Sequence, residues 1–279
     1  MADWRPLMAR REDGFPRIMG VLNITPDSFF VDSRLCNVEE TLGIATRMIE
    51  NGADWLDIGG ESTRPGAKAV NPDEEIARIT PVIRALRNKF PDIGISIDTR
   101  RAIVAKAALD EGADMINDVS ALSDPKMLEL IKTRNCPICI MHMKGIPENM
   151  QHNPEYGDVV SEVKSVLSEK VKILIEAGVN PEKIIADPGI GFGKSLEHNI
   201  KLLSAGREII PHENIKLMWG VSRKSMFSDL LGRSDVDERL AGSLGIAAMA
   251  KSRAVDIIRV HDVPEHADLF RAMSALEGF

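Results

Sequence analysis

Asp98, Asn117 and Asp187 each lie at or near the end of a short apolar run. There their oxygens are placed to accept hydrogen bonds from the amino and ring N–H groups of a flat heterocycle. A buried carboxylate has to be paired or hydrogen-bonded, and a donor-rich ring meets that requirement. Arg64, Lys224, Arg259 and His261 stand in similar positions after other runs. They supply the cationic group that an acidic protein needs to hold a phosphorylated substrate. The two sets describe a pocket with a donor-binding end and an anion-binding end. Taken singly, each residue has a structural explanation: an Asp after a strand caps a helix, a lysine is solvated, a histidine packs. A shared location is what gives the set a chemical meaning.

That location follows from the elements. Candidate strands cover residues 17–23, 54–60, 94–99, 115–120, 137–143, 183–188, 216–222 and 256–261, separated by stretches of helical period, which is the pattern of a parallel sheet with crossover helices. About eight strands is the count of a (β/α)8 TIM barrel, in which the C-terminal ends of all strands open on one mouth. The residues delivered there are Asn23, Glu61-Ser62-Thr63-Arg64, Asp98, Asn117-Asp118, His142, Asp187, Ser222-Arg223-Lys224-Ser225 and Arg259-Val260-His261.

The intervening helices carry their own signals. Residues 39–51 place Leu42, Ala45, Met48 and Ile49 on one stripe and stop at Gly52. Asn71-Pro72 opens the next, with Asp73, Glu74 and Glu75 in the first turn, where the helix dipole favours negative charge. Ser123-Asp124-Pro125 repeats the opening, and a long helix over 158–177 ends at Gly178. Asn51-Gly52-Ala53-Asp54, Glu111-Gly112-Ala113-Asp114 and Glu176-Ala177-Gly178 read as a repeated return from helix to strand. Without a linker or composition shift, the reading is one barrel domain over 17–279 behind an N-terminal extension, 1–16.

Composition narrows the function classes. The 279 residues are 44% hydrophobic and 28% charged, an ordinary globular balance, and barrels of about 250 residues form one unit. A net charge of -7, from 35 Lys+Arg against 42 Asp+Glu, argues against a nucleic-acid binder, which needs a basic face. No run approaches the roughly 18 apolar residues of a membrane span, and residues 1–16 lack a signal peptide's apolar centre, so a cytoplasmic protein is expected. The 3 cysteines, Cys36, Cys136 and Cys139, suit a reducing compartment. The Cys136 and Cys139 pair sits in a strand, where residues three apart face opposite ways, and no second pair completes a zinc site. Buried structural thiols are expected. The string Gly189-Ile190-Gly191-Phe192-Gly193-Lys194-Ser195 fails as a P-loop, because Pro188 stands where the first glycine is needed. It reads instead as a flexible loop after the sixth strand, with Phe192 available to close over a ligand.

Asn23-Ile24-Thr25-Pro26-Asp27-Ser28-Phe29, Gly59-Gly60-Glu61-Ser62-Thr63-Arg64-Pro65-Gly66, Ile97-Asp98-Thr99, Ile116-Asn117-Asp118, Met141-His142-Met143, Asp187-Pro188-Gly189, Phe192-Gly193-Lys194, Ser222-Arg223-Lys224-Ser225 and Arg259-Val260-His261 resemble, in order, the motifs of the dihydropteroate synthase family. The resemblance implies condensation of a dihydropterin-methyl diphosphate with 4-aminobenzoate. It implies that Asp98, Asn117, Asp187 and Lys224 grip the pterin and form the catalytic set, and that Asn23, Arg259 and His261 hold diphosphate, with Asn23 also associated with Mg2+. Thr63, Arg64 and Pro65 match a mobile second loop, while Phe29, Phe192 and Ser225 match positions that shape or contact the aminobenzoate site. A homodimer built through outer-wall helices and competition by sulfonamides are implied too. In one place the chain departs from the pattern: Phe30-Val31-Asp32-Ser33 stands where the family has Ser-Asp-Gly-Gly, which removes easy access to positive φ and stiffens or redirects the first loop. Alternatives are a pterin-dependent methyltransferase domain, a Schiff-base aldolase using Lys224, and a non-catalytic pterin-binding paralogue.

Overall fold

A computed structural model describes residues 4–24, 34–61, 70–145, 150 and 154–278. Eight parallel strands close into a barrel in chain order: β1 (Arg17–Asn23), β2 (Trp55–Gly59), β3 (Gly94–Asp98), β4 (Met115–Asp118), β5 (Ile138–Met141), β6 (Ile184–Asp187), β7 (Lys216–Trp219) and β8 (Ile257–Val260). The helices are α1 (Arg5–Met8), α2 (Arg34–Glu50), α3 (Pro72–Lys89), α4 (Ala102–Asp110), α5 (Pro125–Arg134), α6 (Val159–Glu176), α7 (Leu196–Ala205), α8 (Met226–Leu231), α9 (Leu240–Ala248) and α10 (Val263–Glu277). The expected (β/α)8 barrel is the fold observed. Most strands stop earlier than their apolar runs suggest, and at β4 and β6 the acid at the exit makes its own turn. Asp118 shows the cause: its carboxylate accepts the N–H groups of Ser120 at 2.9 Å and Leu122 at 2.7 Å, which bends the chain away from β4.

The helix signals also hold. Asn71 and Asp124 cap α3 and α5 with proline in the first turn, and Asp158 caps α6. Helix α2 begins at Arg34, ahead of the expected 39. The three glycine returns share one geometry: Gly52, Gly112 and Gly178 have φ of 105°, 107° and 90°, and the next N–H reaches back into the helix, as Ala53 does to Met48 at 2.9 Å. Such a left-handed stop satisfies carbonyls the helix would leave unpaired.

Two of these returns, at Gly52 and Gly112, and a similar one at Ala254, where φ is 55°, each place an acid under the barrel. Asp54, Asp114 and Asp256 accept backbone N–H groups from Ile18, Ile95 and Leu217 at 2.8, 3.0 and 2.8 Å. Each also pairs with arginine: Asp54 with Arg11 and Arg17, Asp114 with Arg87, and Asp256 with Arg207. Above this ring the interior is apolar, with Met19, Trp55, Met115, Cys139, Ile185, Met218 and Ile257 in one buried cluster. The N-terminal extension closes that cluster from below: Met8 joins it, Trp4 and Leu7 pack against it, and Trp55 Nε1 donates to the Leu7 carbonyl at 3.0 Å. Cys136 belongs instead to the layer between barrel and helices. The two thiols therefore face opposite ways, both are buried, and burial pushes Cys136 up to about 11 and Cys139 higher than usual. Inert thiols are the result.

Candidate active site

Strand register makes the mouth polar. Asn23 pairs with Gly59, Gly59 with Asp98 and Asp98 with Asn117 in neighbouring strands, so these residues share one level, and Asp187, opposite Met141, ends the strand two places further round. Two positions below that level in β2 is Asp57, fully buried. The period-2 alternation of a strand thus turns an apolar plug below into an acidic floor above.

One cavity of about 430 Å³ opens at this mouth and is lined by Asn23, Asp98, Phe192, Lys224, Ser225, Arg259 and His261, among others. Its volume is in the range of ligand pockets. A smaller recess of about 20 Å³ continues it inward, lined by Asp98, Asn117, Asp187, Lys224 and Arg259 and walled by Val119, Met141, Ile190 and Phe192. The recess alone is too small for a ring, so its convergent acceptors and apolar walls form a floor against which the edge of a flat polar ring held in the larger cavity can rest. The structure therefore brings together Asn23, Asp98, Asn117, Asp187, Phe192, Lys224, Ser225, Arg259 and His261 as expected. Phe29, Thr63, Arg64 and Pro65 lie outside the described residues, as does the Phe30-Val31-Asp32-Ser33 departure.

Arg259 is the hinge of the charge pattern. Its Nε donates to Asp57 at 2.6 Å and its Nη2 to Asp98 at 2.8 Å. Burial alone would lower its pKa, but Asp57 and Asp98 outweigh this and raise it. Burial pushes the Asp98 carboxyl up to about 7 against the opposing pull of Arg259, with Asp57 adding to the rise. Asp187 is raised by burial too, although the Gly189 N–H at 2.7 Å and Lys224 favour its charge. Lys224 is lowered to about 8 by burial, partly offset by Asp187, and its Nζ lies 3.9 Å from the centre of the Phe192 ring. Two groups of the floor, Asp98 and Lys224, are thus shifted towards neutrality, and such shifts cluster at functional sites.

Other residues expected at the rim serve the scaffold. His142 is buried with Nδ1 3.0 Å from Lys194 Nζ, and burial lowers it to about 3, so it is neutral. Asp118 folds its own turn. Glu61 accepts the Val70 N–H at 2.9 Å and pairs with Arg100 and Arg101. Arg223 is held by Asp262 at 3.0 and 2.5 Å and by Asp237. This fixes the exit of β7 beside that of β8, where Ser222 Oγ accepts the His261 N–H at 3.1 Å.

The loop after β6 is anchored rather than flexible, in contrast to the expectation from its glycines. Lys194 is buried within it and donates to the Phe192 carbonyl at 2.9 Å. A side chain at Gly189, where φ is 68°, would meet the His142 carbonyl oxygen at 1.9 Å. Glycine is required there because β6 leaves the barrel against the backbone of β5.

The model of the pterin binding enzyme family matches residues 19–261. The chain is 45% identical over 266 residues, 94% of its length and 93% of the relative's, to a dihydropteroate synthase of Neisseria meningitidis serogroup C. The chain belongs to the dihydropteroate synthases. Among solved structures, a Yersinia pestis dihydropteroate synthase in a sulfonamide drug complex superposes with a TM-score of 0.88 at 39% identity, covering 97% of this chain and 98% of that one. A Xanthomonas albilineans dihydropteroate synthase in complex with 7,8-dihydropteroate gives 0.83 at 34% identity, covering 96% of each. Membership sets aside the methyltransferase and aldolase readings.

Asp57 was not among the residues singled out from this dihydropteroate synthase family member's sequence. Its signal was present: a carboxylate in the middle of Trp55-Leu56-Asp57-Ile58-Gly59 has the same parity as Gly59, which faces the mouth. A charge at an inward position of an otherwise apolar strand has to find partners inside the barrel.

Proposed function

We propose that the chain joins (7,8-dihydropterin-6-yl)methyl diphosphate to 4-aminobenzoate, giving 7,8-dihydropteroate and diphosphate in folate biosynthesis. The observation that carries this reading is a donor-binding recess of Asp98, Asn117 and Asp187 opening into a wider mouth with Lys224, Arg259 and His261.

In the reaction the bond from the pterin methylene carbon to the diphosphate oxygen breaks, and the electron pair leaves with diphosphate. The aniline nitrogen forms the new bond and then loses a proton. The pterin ring can delocalise positive charge on that carbon, so binding, orientation and charge stabilisation do most of the catalysis. In this reading Asp98 and Asp187 stabilise the electron-poor ring, Phe192 and Ser225 guide the amine, and Arg259 and His261 take the leaving group; their joint lining of one cavity and its recess supports it. The amine is neutral near pH 7, so no nucleophilic serine or cysteine is needed.

Magnesium is part of the proposal. Among the described residues no group of three His, Cys, Asp or Glu side chains is placed to hold a metal. Asn23 offers one amide oxygen at the exposed end of β1, a donor set that fits an ion keeping several waters and substrate phosphate oxygens. Bound there, the ion would neutralise charge on diphosphate. We also read the protein as a cytoplasmic homodimer. Among the described residues no helix is long and apolar enough to cross a membrane, and Ile200 on α7, Leu230 on α8 and Met249 just after α9 form an exposed apolar face.

The experiment is a coupled assay of product formation from the two substrates with magnesium. Release of diphosphate that depends on 4-aminobenzoate supports the reading, while pterin binding without turnover identifies a non-catalytic relative.

A further inference from the structure

The recess contains a constraint that the reaction alone does not explain. Asn117 Nδ2 donates to Asp57 Oδ2 at 3.0 Å, and the same oxygen accepts Arg259 Nε at 2.6 Å. A guanidinium has only donors, so the oxygen it meets is an acceptor, and that same oxygen offers the Asn117 amide nothing but acceptance. The amide must therefore turn its NH2 towards Asp57. Its Oδ1 is left buried without a protein partner, like Asp98 Oδ1, in residues that line the recess.

We propose that Asp57 is a positioning residue that fixes the orientation of the Asn117 amide, so that this part of the recess presents acceptors and selects ligands with adjacent N–H donors on one edge. This rests on the pterin-binding reading above and adds the source of its selectivity. Asp57 is fully buried on β2 and acts through Asn117 and Arg259. An amide without such a partner can rotate and exchange its donor and acceptor ends at little cost, and the recess would then tolerate an edge with an acceptor in place of a donor. A carboxylate at 57 forbids that rotation, because it would set Asn117 Oδ1 against Asp57 Oδ2. Leaving a buried acceptor opposed to another acceptor forfeits both bonds.

The test is Asp57→Ala, which removes the oxygen that holds the Asn117 NH2 and leaves space for a water that can donate or accept, so that the amide is free to reverse. Affinities for a 2-amino-4-oxopteridine and for the pteridine-2,4-dione that replaces its amino donor by an acceptor are measured by calorimetry on the wild-type chain and the variant. Wild type is expected to prefer the 2-amino ligand, and the variant to lose about tenfold or more of that preference, with tighter binding of the dione than wild type shows. A preference unchanged in the variant, or both affinities reduced by the same factor, overturns the proposal and leaves Asp57 as a counter-ion for Arg259. Absence of any preference in wild type instead overturns the reading of the recess as a pterin site. Should the variant not fold, scalar coupling across hydrogen bonds decides, measured on the 15N-labelled wild-type chain with the 15N-labelled 2-amino ligand: no coupling is expected between Asn117 Nδ2 and the ligand amino nitrogen, and a coupling that shows the Asn117 NH2 donating to the ligand edge in place of Asp57 overturns the proposal.

Discussion

Arg259 on β8 reaches across the barrel to bond Asp98 on β3 at 2.8 Å, and its Nε holds Asp57 on β2. One guanidinium thereby fastens two acids of the floor, and it also lines the cavity mouth. The cation assigned from sequence to the anionic end is thus shared with the donor-binding end. Changes at Arg259 should disturb both.

A narrow pH optimum should follow. Asp98, at about 7, accepts ligand donors fully only when ionised, and Lys224, at about 8, is cationic only below that value. The pH profile of kcat/KM should be bell-shaped around these values. Lys224→Met should lower activity and remove the alkaline limb, and Arg259→Met should move the acidic limb upward. For stability the sign is opposite at Asp98: the folded protein keeps a proton that the unfolded chain releases above 3.8. Asp98 therefore makes stability fall as pH rises from 3.8 to about 7, which urea titrations across that window would detect.

Loss of Asp187 should separate ring binding from diphosphate binding. Asp187→Ala should weaken the pterin substrate by about 10- to 100-fold, the scale of a lost charged hydrogen bond. His261→Ala should mainly weaken binding of inorganic diphosphate. Calorimetry with each ligand checks the division, and normal pterin binding by the Asp187 variant would reject it.

Gly189→Ala should damage folding. Its added carbon meets the His142 carbonyl at 1.9 Å at a φ of 68°, and left-handed strain alone costs about 1–2 kcal/mol. A fall of at least about 2 kcal/mol in unfolding free energy is expected, measured by urea denaturation.

Asp114→Ala should also destabilise, but without touching chemistry. It would leave Arg87 partly buried with no carboxylate and the Ile95 N–H with no acceptor, a loss of about 3–5 kcal/mol for a broken buried pair. KM values measured well below the melting temperature should stay at wild-type levels, because Asp114 lies at the opposite end of the barrel from the cavity.

The proposed homodimer has a simple check. Leu230 and Met249 expose 46% and 47% of their surface, and Leu230→Glu combined with Met249→Glu should place charge in a contact built on that face. Sedimentation should then show the wild type at twice the mass of the variant; equal masses would locate the interface elsewhere.

The sequence by itself determined the alternation of elements, the helix openings at Asn71 and Asp124, the glycine returns and the list of polar residues at strand exits. These are local properties: a proline after a capping residue, or a glycine after a helix, constrains the backbone without reference to distant residues. Tertiary structure decided which polar exits become a site. Asp118, His142, Glu61 and Arg223 end strands or loops much as Asn117, Asp187 and Lys224 do, yet they fold turns and clamp neighbouring exits. The difference is the direction in which closure and register point each side chain, because only the closed barrel sets a residue against partners far away in the chain. Asp57 is the clearest case: it lies 202 residues from Arg259 and 60 from Asn117, and its role exists only because all three point into the same interior.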